Sequence, residues 1–211
     1  RIPAKPSARP VPIAKDRLAI ELGWAQLQPY QGRYLTEERG IDPDVIEAFG
    51  VRVDERRNAC FGHTDAAGVT GWEIKNKGFT EFSSGGQKTM AIAQIGEGAP
   101  VRIVICESSI DSMSFSQLHP ADVTTVYLST DGSMSPEQFQ QILDLIDKTL
   151  GAEVVLAHDA DEGGDIVAAH LGAALIGVNV ARARPMEGKD WNEYLQLCLS
   201  QEDGEDPDRD A

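Results

Sequence analysis

Cysteine is scarce in this 211-residue sequence, and the three cysteines present, Cys60, Cys106 and Cys198, lie far apart. The sequence contains no CxxC pair and no cluster of cysteine with histidine, which excludes the common zinc-binding motifs. An odd number of separated cysteines is not the pattern of a disulfide framework. We therefore expect reduced cysteines and a cytoplasmic protein.

Long apolar runs are also lacking. No stretch approaches the roughly 20 apolar residues that span a bilayer. The start of the chain, RIPAKPSARPVPIAK, is basic and rich in proline, without the apolar segment of a signal peptide. We expect no membrane attachment. Because an initiator methionine is missing, we also expect a piece of a longer polypeptide that begins in a linker, residues 1–14.

Basic residues are few in the second half of the chain, and the net charge is −15. Residues 103–211 hold 5 Lys and Arg against 21 Asp and Glu, whereas residues 1–102 hold 14 against 13. Part of the acidic excess lies in QEDGEDPDRDA, residues 201–211, which is too polar to form a core and is expected to be disordered. The rest is concentrated in a few motifs, where bound cations can neutralise it.

Strand and helix patterns alternate four times from residue 101 onward. Continuous apolar runs such as VRIVIC and VTTVYLS are typical of parallel strands that are covered on both faces. The region before them has short strands with glycine turns, including a hairpin at DAAG. The sequence therefore predicts an α/β protein: a small mixed α+β lobe at residues 15–98, then a Rossmann-like parallel sheet at residues 99–200.

Four carboxylates crowd the segment VVLAHDADEGGDIVAAHL, residues 154–171, at the end of a predicted strand. An EF-hand loop does not fit, because His170 stands where a bidentate glutamate is needed. A phosphatase DxDx(T/V) motif fails at its fifth position, Gly163. The stretch SSGGQKT, residues 83–89, lacks the spacing of a P-loop. A metal site and a solvated acidic loop remain as interpretations.

Glu107 ends another predicted strand, VRIVICE. Ligands of parallel sheets bind at the carboxyl ends of the strands, so Glu107 is expected to meet Asp159 and Asp161 there. Three carboxylate oxygens without histidine or cysteine suit Mg²⁺ or Mn²⁺. The sequence thus predicts a divalent cation at this edge of the sheet.

These motifs resemble the TOPRIM domain of bacterial-type DNA primases. The resemblance is collinear over residues 34–196, and it is greatest to the zinc-less primase-like modules of plasmid mobilisation relaxases and of phages. The segments that carry it are YLTEERGIDPDVIEAFGV, ACFGHTDAAGVTGWEIK, GGQKTMAI, VRIVICESSID, HDADEGG and RPMEGKDWNEYL. The sequence departs from the family at Ser108, Glu162 and Asn192, and it has no zinc-binding domain.

The resemblance implies an Mg²⁺-dependent nucleotidyltransferase that acts on single-stranded DNA and NTPs. It implies plasmid conjugation, mobilisation or mobile-element replication as the setting, with a relaxase or helicase as partner. Glu107, Asp159 and Asp161 would be catalytic and would hold the metal. A TOPRIM nuclease or topoisomerase activity, or a degenerate module that binds DNA or a partner protein, are the alternatives.

Further site residues follow from the same resemblance. Asp111 and Asp190 are additional metal-site candidates, although each can equally stabilise the start of a helix. Candidates for nucleic-acid or nucleotide contact are Arg39, Lys75, Lys77, Lys88 and Lys189. The alternative for each of these side chains is that it is simply a solvated surface cation, and Arg39 can instead stabilise its own turn.

Overall fold

The computed structural model describes residues 17–204. Its helices are α1 (Arg17–Gln26), α2 (Pro43–Ala48), α3 (Ser109–Leu118), α4 (Pro136–Lys148), α5 (Glu162–Ala174) and α6 (Trp191–Gly204). Its strands are β1 (Gln28–Pro29), β2 (Arg52–Val53), β3 (Ala59–Asp65), β4 (Gly68–Asn76), β5 (Phe79–Phe82), β6 (Met90–Ile95), β7 (Arg102–Cys106), β8 (Thr125–Ser129), β9 (Glu153–Leu156) and β10 (Val180–Arg182). A π-helical turn spans Tyr34–Glu38.

The predicted parallel sheet is confirmed, in the order β8, β7, β9 and β10. Helices α4 and α5 cover one face with a core that includes Ile103, Ile105 and Ile142. Helices α3 and α6 cover the other face, where Val104 packs with Phe115. Burial on both faces explains why the strands are apolar without interruption.

Helix α4 begins as its sequence predicts. Ser135 accepts a hydrogen bond from the backbone N–H of Gln138, and the Gln138 side chain accepts one from the backbone N–H of Ser135. The segment DIVAAHLGAALIG predicts a helix that starts at Asp165, whereas α5 begins at Glu162, because the Asp161 side chain accepts from Gly164 N and caps the helix three residues earlier.

The small lobe is continuous with the parallel sheet. Strand β6 pairs antiparallel with β8 on one side and with β3 on the other, so one ten-stranded sheet crosses both parts of the chain. The predicted hairpin is present, since β3 ends at Asp65 and β4 begins at Gly68. The boundary proposed at residues 98 and 99 falls in the loop between β6 and β7.

Some sequence expectations concern residues at the ends of the chain. The predicted linker, residues 1–14, lies outside the described residues. Helix α6 extends to Gly204, so the first four residues of the segment 201–211 are helical, and the remainder is also outside the described range. Among residues 17–204, every helix is too short or too polar to cross a membrane.

Candidate active site

The carboxyl edge of the parallel sheet brings two predicted acidic positions together. Glu107 directly follows β7, and Asp159 lies three residues beyond the last pair between β7 and β9, Ile105 opposite Leu156. Ala157 N also donates to Ile105 O at 2.8 Å, which keeps the two chains side by side up to this point. The charge of Glu107 acts on Asp159 across this edge.

Asp159 is a buried carboxylate that the fold leaves incompletely paired. Only 7% of the residue is exposed, and Oδ1 has no hydrogen-bond partner among the described residues. Burial raises the pKa of Asp159 to about 6, and the negative charges of Glu107 and Asp190 act in the same direction. An unpaired buried oxygen of this kind is costly in the absence of a ligand.

Asp161 is fixed by the first turn of α5. Its Oδ1 accepts a 2.9 Å hydrogen bond from Gly164 N, and this bond, followed by Lys189, lowers the pKa of Asp161. A Cβ atom at Gly164 would lie only 2.2 Å from the carbonyl oxygen of Asp159. Only glycine therefore lets α5 begin so close to the end of β9, which is why HDADEGG requires Gly164 at this point.

Lys189 supplies a positive charge between the two aspartates. Its Nζ lies 3.2 Å from Asp161 Oδ2 and 3.7 Å from Asp159 Oδ2. The hydrogen bond to Asp161, followed by the aspartate charges, raises the pKa of Lys189. The loop before α6 therefore places the ammonium group of Lys189 next to Asp159 and Asp161, two of the metal ligands predicted from the sequence.

Asp190 and Asp111 both lie near the start of α6. Asp190 Oδ1 accepts from Glu193 N at 2.8 Å, so it stabilises the first turn of α6. Asp111 is buried in α3, where its carboxylate accepts from the Ser108 hydroxyl and from Asn192 N. Burial raises the pKa of Asp111 to about 7, and the charge of Asp190 adds to this effect. Both carboxylates thus have structural contacts beside Asp159.

Of the predicted lysines of the small lobe, Lys88 reaches toward the same edge, and Lys75 is paired within its own strand. Lys88 donates to the carbonyl oxygen of Asp131, and the next residue, Gly132, donates its N–H to Glu107 O at 3.1 Å. Lys75 forms a 3.1 Å ion pair with Glu73, and both side chains are largely buried. Lys88 therefore contacts the loop after β8, which is itself hydrogen-bonded to Glu107.

The other predicted cations of the small lobe are engaged elsewhere. Arg39 donates to the Tyr34 hydroxyl and to Asn192 Oδ1, so it links its own turn to α6. Lys77 is mostly exposed and forms a 3.3 Å ion pair with Glu38. The structure does not bring these two side chains to the sheet edge.

A buried histidine–aspartate pair was missed in the sequence. His63 Nε2 lies 2.9 Å from Asp131 Oδ2, with both side chains fully buried. Asp131 also accepts from Ser109 N at 2.8 Å, at the start of α3. Burial is the largest single influence and opposes ionisation of Asp131, but the interactions with His63, the charge of Lys75 and the hydrogen bond from Ser109 N together outweigh it and lower the pKa of Asp131. The sequence feature that marks Asp131 is the Asp-Gly pair after β8, which is typical of a turn. In the structure Asp131 adopts φ +51° at that turn.

The acidic side chains at this edge do not form a complete metal site. Within residues 17–204, no three His, Cys, Asp or Glu side chains lie close enough together to hold an ion. The chemistry of the site nevertheless fits a hard divalent cation, because Asp159 offers an unpaired carboxylate oxygen next to Asp161. Glu107 and Asp161 also line one cleft at this edge.

Two family descriptions match the chain. Residues 104–195 match the family described as Toprim-like. Residues 33–97 match a family described as a protein of unknown function, DUF3991. No curated protein matches the sequence.

Solved primase structures share the fold. The primase fragment of the bacteriophage T7 primase-helicase protein is 19% identical, with a TM-score of 0.64 over 95% of this chain and 82% of that one. The T7 primase domains bound to an RNA/DNA hybrid and dTTP, with lagging-strand DNA polymerase, are 18% identical, with a TM-score of 0.56 over 80% and 87% of the two chains.

A bacterial structure is also similar. The zinc-binding and RNA polymerase domains of the Aquifex aeolicus primase are 16% identical, with a TM-score of 0.54. The match covers 89% of this chain but only 54% of that one. At these identities the likeness concerns the fold, and it confirms the fold expected from the sequence motifs.

Proposed function

We propose that this chain, which contains a primase-like TOPRIM domain, is a metal-dependent nucleotidyltransferase that synthesises primers on single-stranded DNA. One observation carries the proposal: the buried, unpaired Oδ1 of Asp159 lies at the carboxyl edge of the sheet with Glu107 and Asp161 nearby. A divalent cation would satisfy that oxygen and offset the repulsion among the carboxylates.

Glu107, Asp159 and Asp161 would hold the ion, Mg²⁺ or Mn²⁺. When bound, it would neutralise triphosphate charge as a 3′-hydroxyl attacks the α-phosphorus and pyrophosphate leaves. Burial keeps water away from Asp159, which strengthens its electrostatic interactions. Asp161 is oriented by Gly164 N before any ligand arrives. Asp111 and Asp190, which the same hypothesis counts as metal-site residues, would orient the start of α6 and add negative charge.

The proposed nucleotide contacts come from both lobes. Lys88 is held beside Gly132, next to Glu107, where it would bind triphosphate oxygens. Lys189 would leave the aspartates and contact the same phosphates. Lys75, paired with Glu73, would add positive potential from β4. Arg39 and Lys77, which lie away from this edge, would contact the template strand.

The wider setting that we propose is cytoplasmic replication of a plasmid or other mobile element during conjugation or mobilisation. A relaxase or a helicase, fused to the chain or bound to it, would supply the single-stranded template. Support comes from the collinear primase-like motifs and from the T7 relative, which is part of a primase-helicase protein.

Primer synthesis tests the proposal directly. The purified chain is incubated with single-stranded DNA, labelled ribonucleoside triphosphates and Mg²⁺, and the products are separated on denaturing gels. We expect short primers from the wild type and a loss of roughly 100-fold or more for Asp159→Asn. Asp144→Asn, an exposed carboxylate on α4, is the control and should leave the yield unchanged. Equal yields from wild type and Asp159→Asn would refute the assignment, and DNA cleavage without NTPs would point to a nuclease.

A non-catalytic binding module is favoured by one feature, the Lys189 ammonium that already neutralises Asp159 and Asp161. In that case the lysine is a permanent replacement for the metal. Calorimetric titration with Mg²⁺ separates the two functions. Absence of binding at millimolar Mg²⁺ by a folded protein would support the binding module.

A further inference from the structure

A cleft of roughly 330 Å³ opens at the carboxyl edge of the sheet, on the side of β9 that faces α5. Its walls come from the ends of β7 and β9, from the loop after β8 and from the first turns of α5. The lining includes Glu107, Thr130, Ser133, Met134, His158 and Ile166. The cleft therefore begins at the proposed metal ligand Glu107 and extends away from it.

His158 is the unusual member of this lining. The residue is only 1% exposed, and neither Nδ1 nor Nε2 has a hydrogen-bond partner among the described residues. The Arg182 guanidinium contacts the backbone of this segment at His158 O and Asp159 O, so it leaves the ring nitrogens unpaired. Buried polar atoms are normally paired, and a buried imidazole with two free nitrogens in a cleft wall points to a ligand.

The chemistry of the site narrows the choice of that ligand. An imidazole has two ring nitrogens that can each take part in a hydrogen bond, so His158 suits a ligand with several polar atoms. An anion alone would also be repelled by Glu107 and Asp161 at the mouth of the cleft.

The remaining lining suits an uncharged ligand with both polar and apolar surfaces. Met134, Ile166 and Val167 supply apolar contacts, while Thr130 and Ser133 carry hydroxyls. At the rim, the ring of His170 stacks on Phe139 with centroids 4.7 Å apart. A volume near 330 Å³ is at the lower end of the range for small-molecule pockets.

We propose that this cleft binds the nucleoside part of the incoming nucleoside triphosphate, with the His158 ring hydrogen-bonded to its base or ribose. The inference rests on the proposed nucleotidyl transfer and specifies which face of the sheet receives the substrate. The triphosphate would then extend past Glu107 toward Lys88, which is held beside Gly132 at the mouth of the cleft. The nucleoside would satisfy the two nitrogens that the fold leaves unpaired.

Two ligands separate nucleoside contacts from phosphate contacts. The first is α,β-methylene ATP, which cannot react at its α-phosphorus, and the second is inorganic triphosphate, which lacks the nucleoside. Each is titrated calorimetrically with Mg²⁺ into wild type, His158→Leu, His158→Phe and His158→Asn. His119→Leu is the control, because it removes a histidine that packs against Trp191 on the opposite face of the sheet.

We expect His158→Leu and His158→Phe to weaken binding of α,β-methylene ATP by about 5- to 10-fold, the loss of one or two hydrogen bonds. Binding of inorganic triphosphate should not change. His158→Asn, which keeps a donor and an acceptor, should recover part of the loss, and His119→Leu should bind both ligands as the wild type does. The apolar variants should also unfold at the same or a higher temperature, since they remove an unpaired buried polar group.

Three results would overturn the inference, and they are distinguishable. If the wild type binds both ligands and synthesises primers but both apolar variants bind α,β-methylene ATP with wild-type affinity, the nucleoside lies elsewhere and the proposed function survives. If the wild type binds neither ligand, the proposed function fails and the inference fails with it. A parallel loss for both ligands in the apolar variants would also contradict a specific nucleoside contact.

Discussion

The Nζ atom of Lys189 lies 3.2 Å from Oδ2 of Asp161. Its positive charge neutralises the same carboxylate that is proposed to bind the metal ion. The side chain is 57% exposed, so it can leave the site without disturbing the core. On the proposed function, Lys189 would be a counter-ion that competes with a divalent cation for Asp159 and Asp161, and the displaced lysine would then be available to the triphosphate.

Replacing Lys189 with methionine is expected to tighten Mg²⁺ binding in the absence of nucleotide. Exposed ion pairs of this kind contribute less than about 1 kcal/mol, so the dissociation constant should fall by about two- to fivefold. Calorimetric titration measures it. Lys77→Met removes an equivalent charge that pairs with Glu38 on the surface, and it should have little effect. Unchanged or weaker Mg²⁺ binding by Lys189→Met would exclude competition.

Gly164→Ala is expected to disrupt the edge of the sheet. The added Cβ would lie 2.2 Å from the carbonyl oxygen of Asp159, and the backbone there cannot move without displacing the carboxylate. We expect a loss of about 3 kcal/mol in the free energy of unfolding, measured by urea denaturation, together with a loss of Mg²⁺ binding.

Gly172→Ala is the matched control within the same helix. Its Cβ would meet only Leu156 Cδ1, at 3.9 Å, so the substitution should be neutral or should stabilise α5 by up to about 1 kcal/mol. A Gly164→Ala protein as stable as Gly172→Ala would mean that the close approach of α5 to β9 is not required.

The sheet and its acidic edge were predictable because they follow from local patterns. Apolar runs followed by Glu107 and by Asp159 identify parallel strands, and the carboxyl ends of parallel strands meet at one edge. The start of α5 at Glu162 is harder to predict, because an aspartate at position 161 suits a helix cap and a metal ligand equally well. The proposed metal role is compatible with the observed cap, since the N–H of Gly164 occupies only one oxygen of Asp161.

The contacts between the two lobes were not predictable in the same way. His63 and Asp131 are separated by 68 positions, and their pairing depends on how β3, β6 and β8 align in the sheet. The position of Lys189 depends likewise on the irregular loop before α6, where no periodic pattern constrains a side chain. Tertiary pairing of isolated polar residues leaves no signal in one sequence.

Asp131→Asn is expected to destabilise the protein. Asparagine tolerates the left-handed backbone at this position, where φ is +51°, so the change removes the charge without adding strain. It leaves His63 without its buried charged partner, and we expect a loss of about 3 kcal/mol in urea denaturation at pH 7. Asp122→Asn, which removes an exposed partner of Arg102, should cost less than about 1 kcal/mol. Equal effects from the two substitutions would show that the buried pair adds no stability.

Glu73→Gln is expected to change how stability depends on pH. Burial, followed by the charge of Asp131, raises the pKa of Glu73 from 4.5 to about 7 despite the nearby Lys75. The folded state therefore binds this proton more tightly than the unfolded state does, and ionisation of Glu73 lowers stability progressively as the pH rises from about 4.5 to 7. Glutamine cannot ionise, so the variant should gain on the order of 1–2 kcal/mol in the free energy of unfolding, relative to wild type, as the pH rises from 5 to 8.

Urea denaturation at several pH values measures this gain. Glu81→Gln, which replaces an exposed carboxylate on the neighbouring strand β5, is the control and should follow the wild-type profile. A Glu73→Gln profile parallel to that of the wild type would mean that Glu73 ionises as readily in the folded protein as in the unfolded chain, so that its ion pair with Lys75 fully offsets burial.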